Sequence, residues 1–241
     1  MAHLTLQRPE KRNALNDGLI AELGAFFTNP PKGVAVAILS GAGGHFSAGL
    51  DLSEHVAREA PEVMRHSRNW HAVMDSIQFG GLPVVAALEG AVMGGGLELA
   101  AACHVRIAEP STVFQLPEGR RGIFVGGGAS VRIGRILGPD RMVEMMLTGR
   151  KYDAEEGRAL GLAHYAVTAG EGQGEAQRLA ERIAGNAPLS NYIVIQALSR
   201  IDDMARSDGL FTESLCAALT QTSADAQEGL KAFLEKRDAR F

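Results

Sequence analysis

Hydrophobic positions in the first half of the chain fall into short unbroken runs, and in the second half they take helical spacing. Val34 to Leu39, after Gly33, is an apolar run rich in β-branched residues, and Val84 to Leu88, after Pro83, is another. Runs without polar alternation suit strands covered on both faces. Between them, Pro61 to Ile77 carries Val63, Trp70, Val73 and Ile77 at helical spacing, and Ala91 to Ala102 turns from a glycine cluster into an alanine-rich helical stretch. Val105 to Ala108 and Val113 to Leu116 are brief strand candidates flanking the turn-prone Glu109-Pro110-Ser111. Strands that alternate with helices predict an α/β architecture.

From Gly126 the pattern becomes helical: Ala129 to Leu137, Arg141 to Leu147, Ala154 to Leu160, Glu175 to Ala184, then several helices from Leu189 onward. In Asn186-Ala187-Pro188 the proline disfavours helical geometry at Ala187 just before a new helical run. The expected division is therefore a core domain over 1–187 and a C-terminal helical region over 188–241.

Composition narrows the function classes. With 241 residues and 46% hydrophobic content the chain can bury a substantial single core. A formal net charge of −4 provides no overall basic field for nucleic acid or an anionic membrane, so neither is an expected partner, and an anionic ligand must be met locally. Cys103 and Cys216 lie far apart, without disulfide or metal-ligand spacing, which fits a reducing cytoplasm. Met1 to Pro9 carries no export pattern and no segment reaches the length of a membrane span. His45, His55, His66 and His71 are spaced so that no two share a helical turn, and no metal site is expected.

Two glycine-rich segments and two glutamates stand out. Gly94-Gly95-Gly96 leads into Leu97-Glu98, so backbone can approach a ligand and Glu98 falls on the first turn of a helix, whose free N–H groups suit an anionic oxygen. An ordinary loop-to-helix turn explains the same residues. Gly41 to Leu52 offers a second set of small residues, but no Gly-Lys-Ser/Thr closes it and it lacks the dinucleotide glycine pattern. Glu118 follows Glu98 by twenty residues, just past Pro117. Two such carboxylates become an acid/base pair only where the fold converges them.

Four ordered segments carry a resemblance. Arg8 to Asn16 (R-P-E-K-R-N-A-L-N), Phe46 to Leu52 (F-S-A-G-L-D-L), Gly94 to Ala100 and Leu116-Pro117-Glu118 resemble the successive signatures of the enoyl-CoA hydratase/isomerase (crotonase) family. The resemblance continues through Thr148-Gly149-Arg150, Ala154 to Gly157 and Gly161-Leu162, and runs from about Leu4 to Phe241. It implies a ClpP/crotonase fold of repeated β-β-α units, with the helical C-terminal region packing at a trimer interface and a homotrimer or hexamer as the assembly. By resemblance, the backbone N–H groups of Leu50 and Gly95 form an oxyanion hole for a thioester carbonyl, and Glu98 and Glu118 are the catalytic carboxylates. Lys11, Arg12, Ala14, Ala48, Asp51 and Leu52 resemble the segments that cradle coenzyme A, with Phe233 and Lys236 completing that site, often from a neighbouring subunit.

The activity so implied is hydration of a 2-enoyl-CoA to a 3-hydroxyacyl-CoA, as in fatty acid metabolism, with coenzyme A as part of the substrate and no further cofactor. Glu118 is the expected proton donor to the α-carbon and Glu98 the base on water, or the two form a coupled pair sharing one proton. Double-bond isomerisation and aromatic hydratase-lyase chemistry are the close alternatives, and a non-catalytic RNA- or protein-binding member the remote one. His104 and Val125-Gly126-Gly127-Gly128 depart from the family pattern. His104 reads as a packing or hydrogen-bonding variation, and the glycine turn, Gly126 included, still offers N–H groups to water or thioester. Trp70, Met74 and Phe79 read as acyl-pocket lining or core, and Leu210, Phe211, Leu215 and Leu219 as core or trimer contacts.

Overall fold

The computed structural model describes residues 1–54 and 58–241, which leaves His55 outside the described residues. The strands are β1 (Ala2–Leu6), β2 (Ala37–Gly41), β3 (Val84–Leu88), β4 (Ala91–Met93), β5 (Val105–Ala108), β6 (Val113–Gln115) and β7 (Tyr165–Ala166). They form a parallel sheet in the order β1-β2-β3-β5-β7 and a smaller parallel pair, β4-β6. The helices are α1 (Asp17–Thr28), α2 (Ala60–Phe79), α3 (Gly95–Ala102), α4 (Ala129–Leu137), α5 (Pro139–Thr148), α6 (Ala154–Ala159), α7 (Gly172–Ala184), α8 (Pro188–Ile201), α9 (Arg206–Gln221) and α10 (Ala224–Glu235).

Successive side chains of a strand point to opposite faces, and the apolar runs of β2 and β3 are buried along their length on both. Ala37, Leu39, Val84, Ala86 and Leu88 join the large core that includes Ile20 and Phe27 of α1, Met74 and Ile77 of α2, and Leu97 and Leu99 of α3. Ile38, Val85, Ala87 and Ile107 face the other way, onto Ala176, Leu179 and Ala180 of α7. Full burial of each Leu, Ile or Phe is worth about 1.5–3 kcal/mol, so the side carrying α1 to α3 supplies most of the cohesion.

Some boundaries differ from the pattern's expectation. β2 starts at Ala37: Val34 turns its N–H back onto the Pro31 carbonyl at 3.2 Å, and the chain first meets β1 where the Val36 carbonyl accepts the Ala2 N–H at 3.0 Å. Helix α1, which the apolar pattern did not signal, is started by Asn16, whose side chain accepts from the Leu19 N–H, and buries Ile20, Leu23 and Phe27. At the other expected boundary α7 ends at Ala184 and α8 starts at Pro188, with Ala187 extended at φ −54°, ψ 123° as a residue before proline should be. Leu210, Phe211, Leu215 and Leu219 are exposed, which corrects the reading of them as core. Among the described residues no helix is long and apolar enough to cross a membrane. Both cysteines are free.

His104 is a tie between elements. Its Nδ1 accepts the Val84 N–H at 3.0 Å, so its proton sits on Nε2, which donates to the Gln78 carbonyl at 3.0 Å. The tautomer is therefore assigned by its partners, and the imidazole links the end of α2 to the start of β3. Burial lowers its pKa from the usual 6.5, with the nearby Arg106 charge acting in the same direction. The native state thus binds the neutral ring, while the unfolded chain takes up a proton below about 6.5. Stability contributed by His104 is present above that pH and is lost as pH falls toward the depressed native value. Urea unfolding at pH 7.5 and 5.5 should give a larger loss in the wild type than in His104→Gln; equal losses would contradict this role.

Candidate active site

The loop after β2 is held by one buried side chain. Asn13 is fully buried and left-handed at φ 55°. Its Nδ2 donates to the carbonyls of Ala42 at 2.8 Å and His45 at 2.6 Å, and its Oδ1 accepts the Arg8 N–H at 2.8 Å. Ser47 Oγ donates to the Asn13 carbonyl at 2.8 Å and accepts the Gly49 N–H at 3.1 Å. On one side of this loop Leu15 N–H donates to Gly49 and Asp51 N–H to Leu15; on the other, Ser47 pairs with Ala91 and Met93. Among the described residues the N–H of Leu50, between these bonds, is left over.

Helix α3 begins beside it. Gly94 sits at φ 50°, ψ −124°, a conformation that favours glycine, and a Cβ there would lie 2.8 Å from Glu118 Oε1. A Cβ on Gly95 would lie 3.4 Å from the Leu50 nitrogen and 2.8 Å from the Trp70 ring, so the two expected oxyanion donors are neighbours. Neither N–H donates to a protein acceptor among the described residues. Gly95 is the first residue of α3, where N–H groups have no partner within the helix and the dipole is positive.

The two glutamates converge here. Glu98 is buried on the first turn of α3, and its Oε1 accepts the N–H groups of Gly127 at 2.8 Å and Ala129 at 3.0 Å. Burial pushes its pKa up against the pull of those N–H groups and of the Arg132 charge. Glu118 opens the short 3-10 turn Glu118–Arg121 and is buried, with no hydrogen-bond partner for Oε2 among the described residues. Burial, with some help from the Glu98 charge, pushes its carboxyl up to about 7. The site thus holds one carboxylate cradled by peptide donors and one that shares its proton with solvent near neutrality.

A cavity of about 360 Å³ opens onto this point, lined by Gly94, Gly95, Leu50 and Glu118 together with Ala14, Ala48 and Asp51, and by the exposed Lys11 and Leu52 where it meets solvent. Asp51 is buried and fully engaged: Oδ2 accepts from Arg8 at 2.7 Å and Lys11 at 3.0 Å, and Oδ1 from the Ser53 hydroxyl at 2.6 Å and its N–H at 3.0 Å. Those bonds, Ser53's first, hold its pKa well below the usual carboxylate range. The side chain of Asp51 therefore organises the mouth and has no oxygen to offer a ligand, while Lys11 remains half-exposed.

The other expected residues fall elsewhere. Arg12 is exposed and left-handed, giving its carbonyl to the Ala48 N–H at 2.9 Å. The Gly126 carbonyl accepts from Ser67, and it is the neighbouring Gly127 and Ala129 whose N–H groups reach Glu98. Phe233 and Lys236 lie at the end of α10, Phe233 79% exposed, and neither lines the cavity of the same chain. Met74 is core, Phe79 lies under the Arg200 guanidinium, and Trp70 packs on both Gly95 and Gly127 with a buried Nε1 that has no partner among the described residues. Asn13, Ser47, Arg8 and Trp70 carry the site's geometry yet had no role assigned beyond motif membership or wall. Among the described residues no three His, Cys, Asp or Glu side chains gather as a metal would require.

The chain matches the family described as enoyl-CoA hydratase/isomerase over residues 1–241. It is 34% identical to the mitochondrial enoyl-CoA hydratase domain-containing protein 2 of Homo sapiens, over 100% of this chain and 85% of that protein. A Rhodopseudomonas palustris CGA009 protein provisionally named an enoyl-CoA hydratase superposes with a TM-score of 0.95 at 50% identity, covering 97% of this chain and 91% of that one. The enoyl-CoA hydratase of Bacillus anthracis superposes with a TM-score of 0.93 at 32% identity, covering 99% and 94%. The crotonase-like α/β fold expected from the sequence is thus the fold observed.

Gly94 offers a direct check of the geometry. Gly94→Ala forces an L-residue into a glycine conformation and drives a methyl at the Glu118 carboxyl, so it should destabilise by about 1–3 kcal/mol. Thermal unfolding reads the loss, and an unchanged midpoint would contradict the backbone described here.

Proposed function

The chain belongs to the enoyl-CoA hydratase/isomerase family, and from that premise we propose that it is a hydratase, adding water reversibly to a 2-enoyl-CoA to give a 3-hydroxyacyl-CoA. One observation carries the reading: Glu98 and Glu118, both buried and with different surroundings, stand close to two adjacent N–H donors that have no acceptor among the described residues, and Glu118 and both donors line one cavity. Isomerisation requires only proton transfer between carbons, which one carboxylate can perform. A second buried carboxylate fits the activation of water.

In this reading the thioester carbonyl accepts from Leu50 and Gly95. As water adds at the β-carbon, charge moves to that oxygen, and each such donor is typically worth about 3–4 kcal/mol in the transition state. Glu98 takes the proton from water and Glu118 supplies one to the α-carbon, each step typically worth about 10²–10⁴-fold. The pair titrates jointly. The donors and carboxylates suffice for this chemistry, so we assign no cofactor beyond the coenzyme A of the substrate. Lys11 and Arg12 would meet its phosphates, and Ala14, Ala48 and Leu52 its pantetheine. Exposed Leu210, Phe211, Leu230 and Phe233 on α9 and α10 favour a homotrimer, or a hexamer of two, in which a partner subunit brings Phe233 and Lys236 to the mouth. The free cysteines fit a reducing cytoplasm.

A panel of short, long and aromatic enoyl-CoA thioesters, followed at the conjugated double bond with product identification, tests the activity. Glu98→Gln and Glu118→Gln should each lower kcat by at least about 10²-fold with the fold intact. No turnover on any thioester would sink the hydratase, and double-bond migration without water uptake would replace it by an isomerase.

The pH dependence follows from Glu118. Its carboxyl must be protonated to donate, and it loses that proton as pH rises through about 7. Activity (kcat/KM) should therefore fall on the alkaline side of neutrality. A profile flat from pH 6 to 9 would contradict the assignment of Glu118 as the acid.

A further inference from the structure

The turn that holds Glu98 consists of Gly126-Gly127-Gly128, three residues whose peptide planes rotate at little steric cost. Such a turn is a poor anchor unless something outside it fixes each plane. Two side chains do so. Ser67, on α2, donates its hydroxyl to the Gly126 carbonyl at 2.7 Å. Arg132, on α4, donates Nη1 to the Gly127 carbonyl at 3.3 Å, and its guanidinium fills the space that a Cβ on Gly128 would occupy.

In a trans peptide the C=O and the following N–H point in opposite directions. Pinning the Gly126 carbonyl to Ser67 therefore aims the Gly127 N–H the other way, where it meets Glu98 Oε1 at 2.8 Å. Pinning the Gly127 carbonyl to Arg132 does the same for the Gly128 N–H, which also stabilises the Glu98 charge. Arg132 is itself fixed by Nε to Gln78 at 2.6 Å and Nη2 to Asp75 at 2.5 Å, both on α2. Both pins thus refer the turn to the same helix.

We propose that Ser67 and Arg132 are positioning residues that clamp the two glycine peptides from their carbonyl ends and so keep the N–H groups on Glu98, holding it as the carboxylate that takes a proton from water. The proposal rests on the reading of Glu98 as a catalytic carboxylate, and neither clamp residue touches the reacting atoms. The titratable groups facing this arrangement are Glu118 across the site, Arg132 with Asp75 and Arg135 behind it, and His71, whose Nε2 lies 3.4 Å from Ser67 Oγ.

The direct test is the titration of Glu98, followed by carboxyl carbon resonances of glutamate-labelled protein and assigned by their loss in Glu98→Gln. In Ser67→Ala the released peptide turns away, so the Glu98 midpoint should rise by about one pH unit, with kcat at least about tenfold lower and KM unchanged. Ser67→Thr keeps a hydroxyl and should restore both. Arg132→Met, which removes the second pin and a positive charge, should raise the midpoint further; should it fail to fold, the Ser67 pair decides. A shifted midpoint without turnover on any enoyl-CoA would uphold the clamp while removing the hydratase reading. A Glu98 midpoint unchanged in Ser67→Ala, or shifted equally in Ser67→Thr, would overturn the clamp.

Discussion

Burial of the Asn13 carboxamide is the interaction on which the rest of the site depends. Its two donor bonds and one acceptor bond fold the loop from Gly41 to Gly49 against β1 and β4, and through Ser47 they reach the Gly49 peptide. Each bond nets only about 1 kcal/mol, but leaving a buried group unpaired costs about 1–3 kcal/mol, so losing one partner costs more than its own bond. The N–H groups on either side of Leu50 are taken up within the loop, that of Gly49 by Ser47 Oγ and that of Asp51 by the Leu15 carbonyl, which leaves the N–H of Leu50 without an acceptor among the described residues.

The glutamates obey the opposite logic. Burying a carboxylate is unfavourable, and beside the ion-paired Asp51 the chain does it twice more within one site, with Glu98 given peptide donors and Glu118 Oε2 left without a partner among the described residues. Peptide dipoles stabilise charge without themselves carrying a proton, so the donors on Glu98 oppose the upward push of its burial, while Glu118 Oε2 has no such donor among the described residues. The cost is borne by the apolar core that packs α2 and α3 against the sheet. Functional sites are where such local violations concentrate.

Much of the scaffold was legible in the residue pattern. β3 sits where an unbroken apolar run placed it, β5 fills a brief strand candidate, and α4 spans the expected Ala129 to Leu137. Helix α1 was not, since Gly18 and Gly24 interrupt a stripe only a few residues long. β4 and β7, with three and two residues, are too short to carry a period and exist through their ladder partners. The convergence of Glu98 and Glu118 was legible only by resemblance. It is produced by the β4-β6 register, in which Met93 pairs with Gln115, so that α3 and the Glu118 turn leave adjacent strands at the same end. Register is a relation between distant segments, and no local spacing reports it. Ser67 and Arg132 gave no signal for the same reason, because their role is in the direction of a peptide plane.

Charge ties the mouth of the cavity to its interior. The protein is acidic overall, at −4, yet the cavity wall carries Lys11 and Arg121, with Arg8 just behind. Asp51 is the fixed negative charge among them, and it is spent on holding Arg8 and Lys11 in place. Glu118 adds a second negative charge only above about 7. In the proposed hydratase reading, desolvation of that one carboxyl would have two effects: it would supply a proton where a carbanion-like centre forms, and it would leave the cavity net positive toward an anionic thioester. On that reading local field and acid catalysis would come from the same burial, so that an acidic protein could present this site without a basic surface.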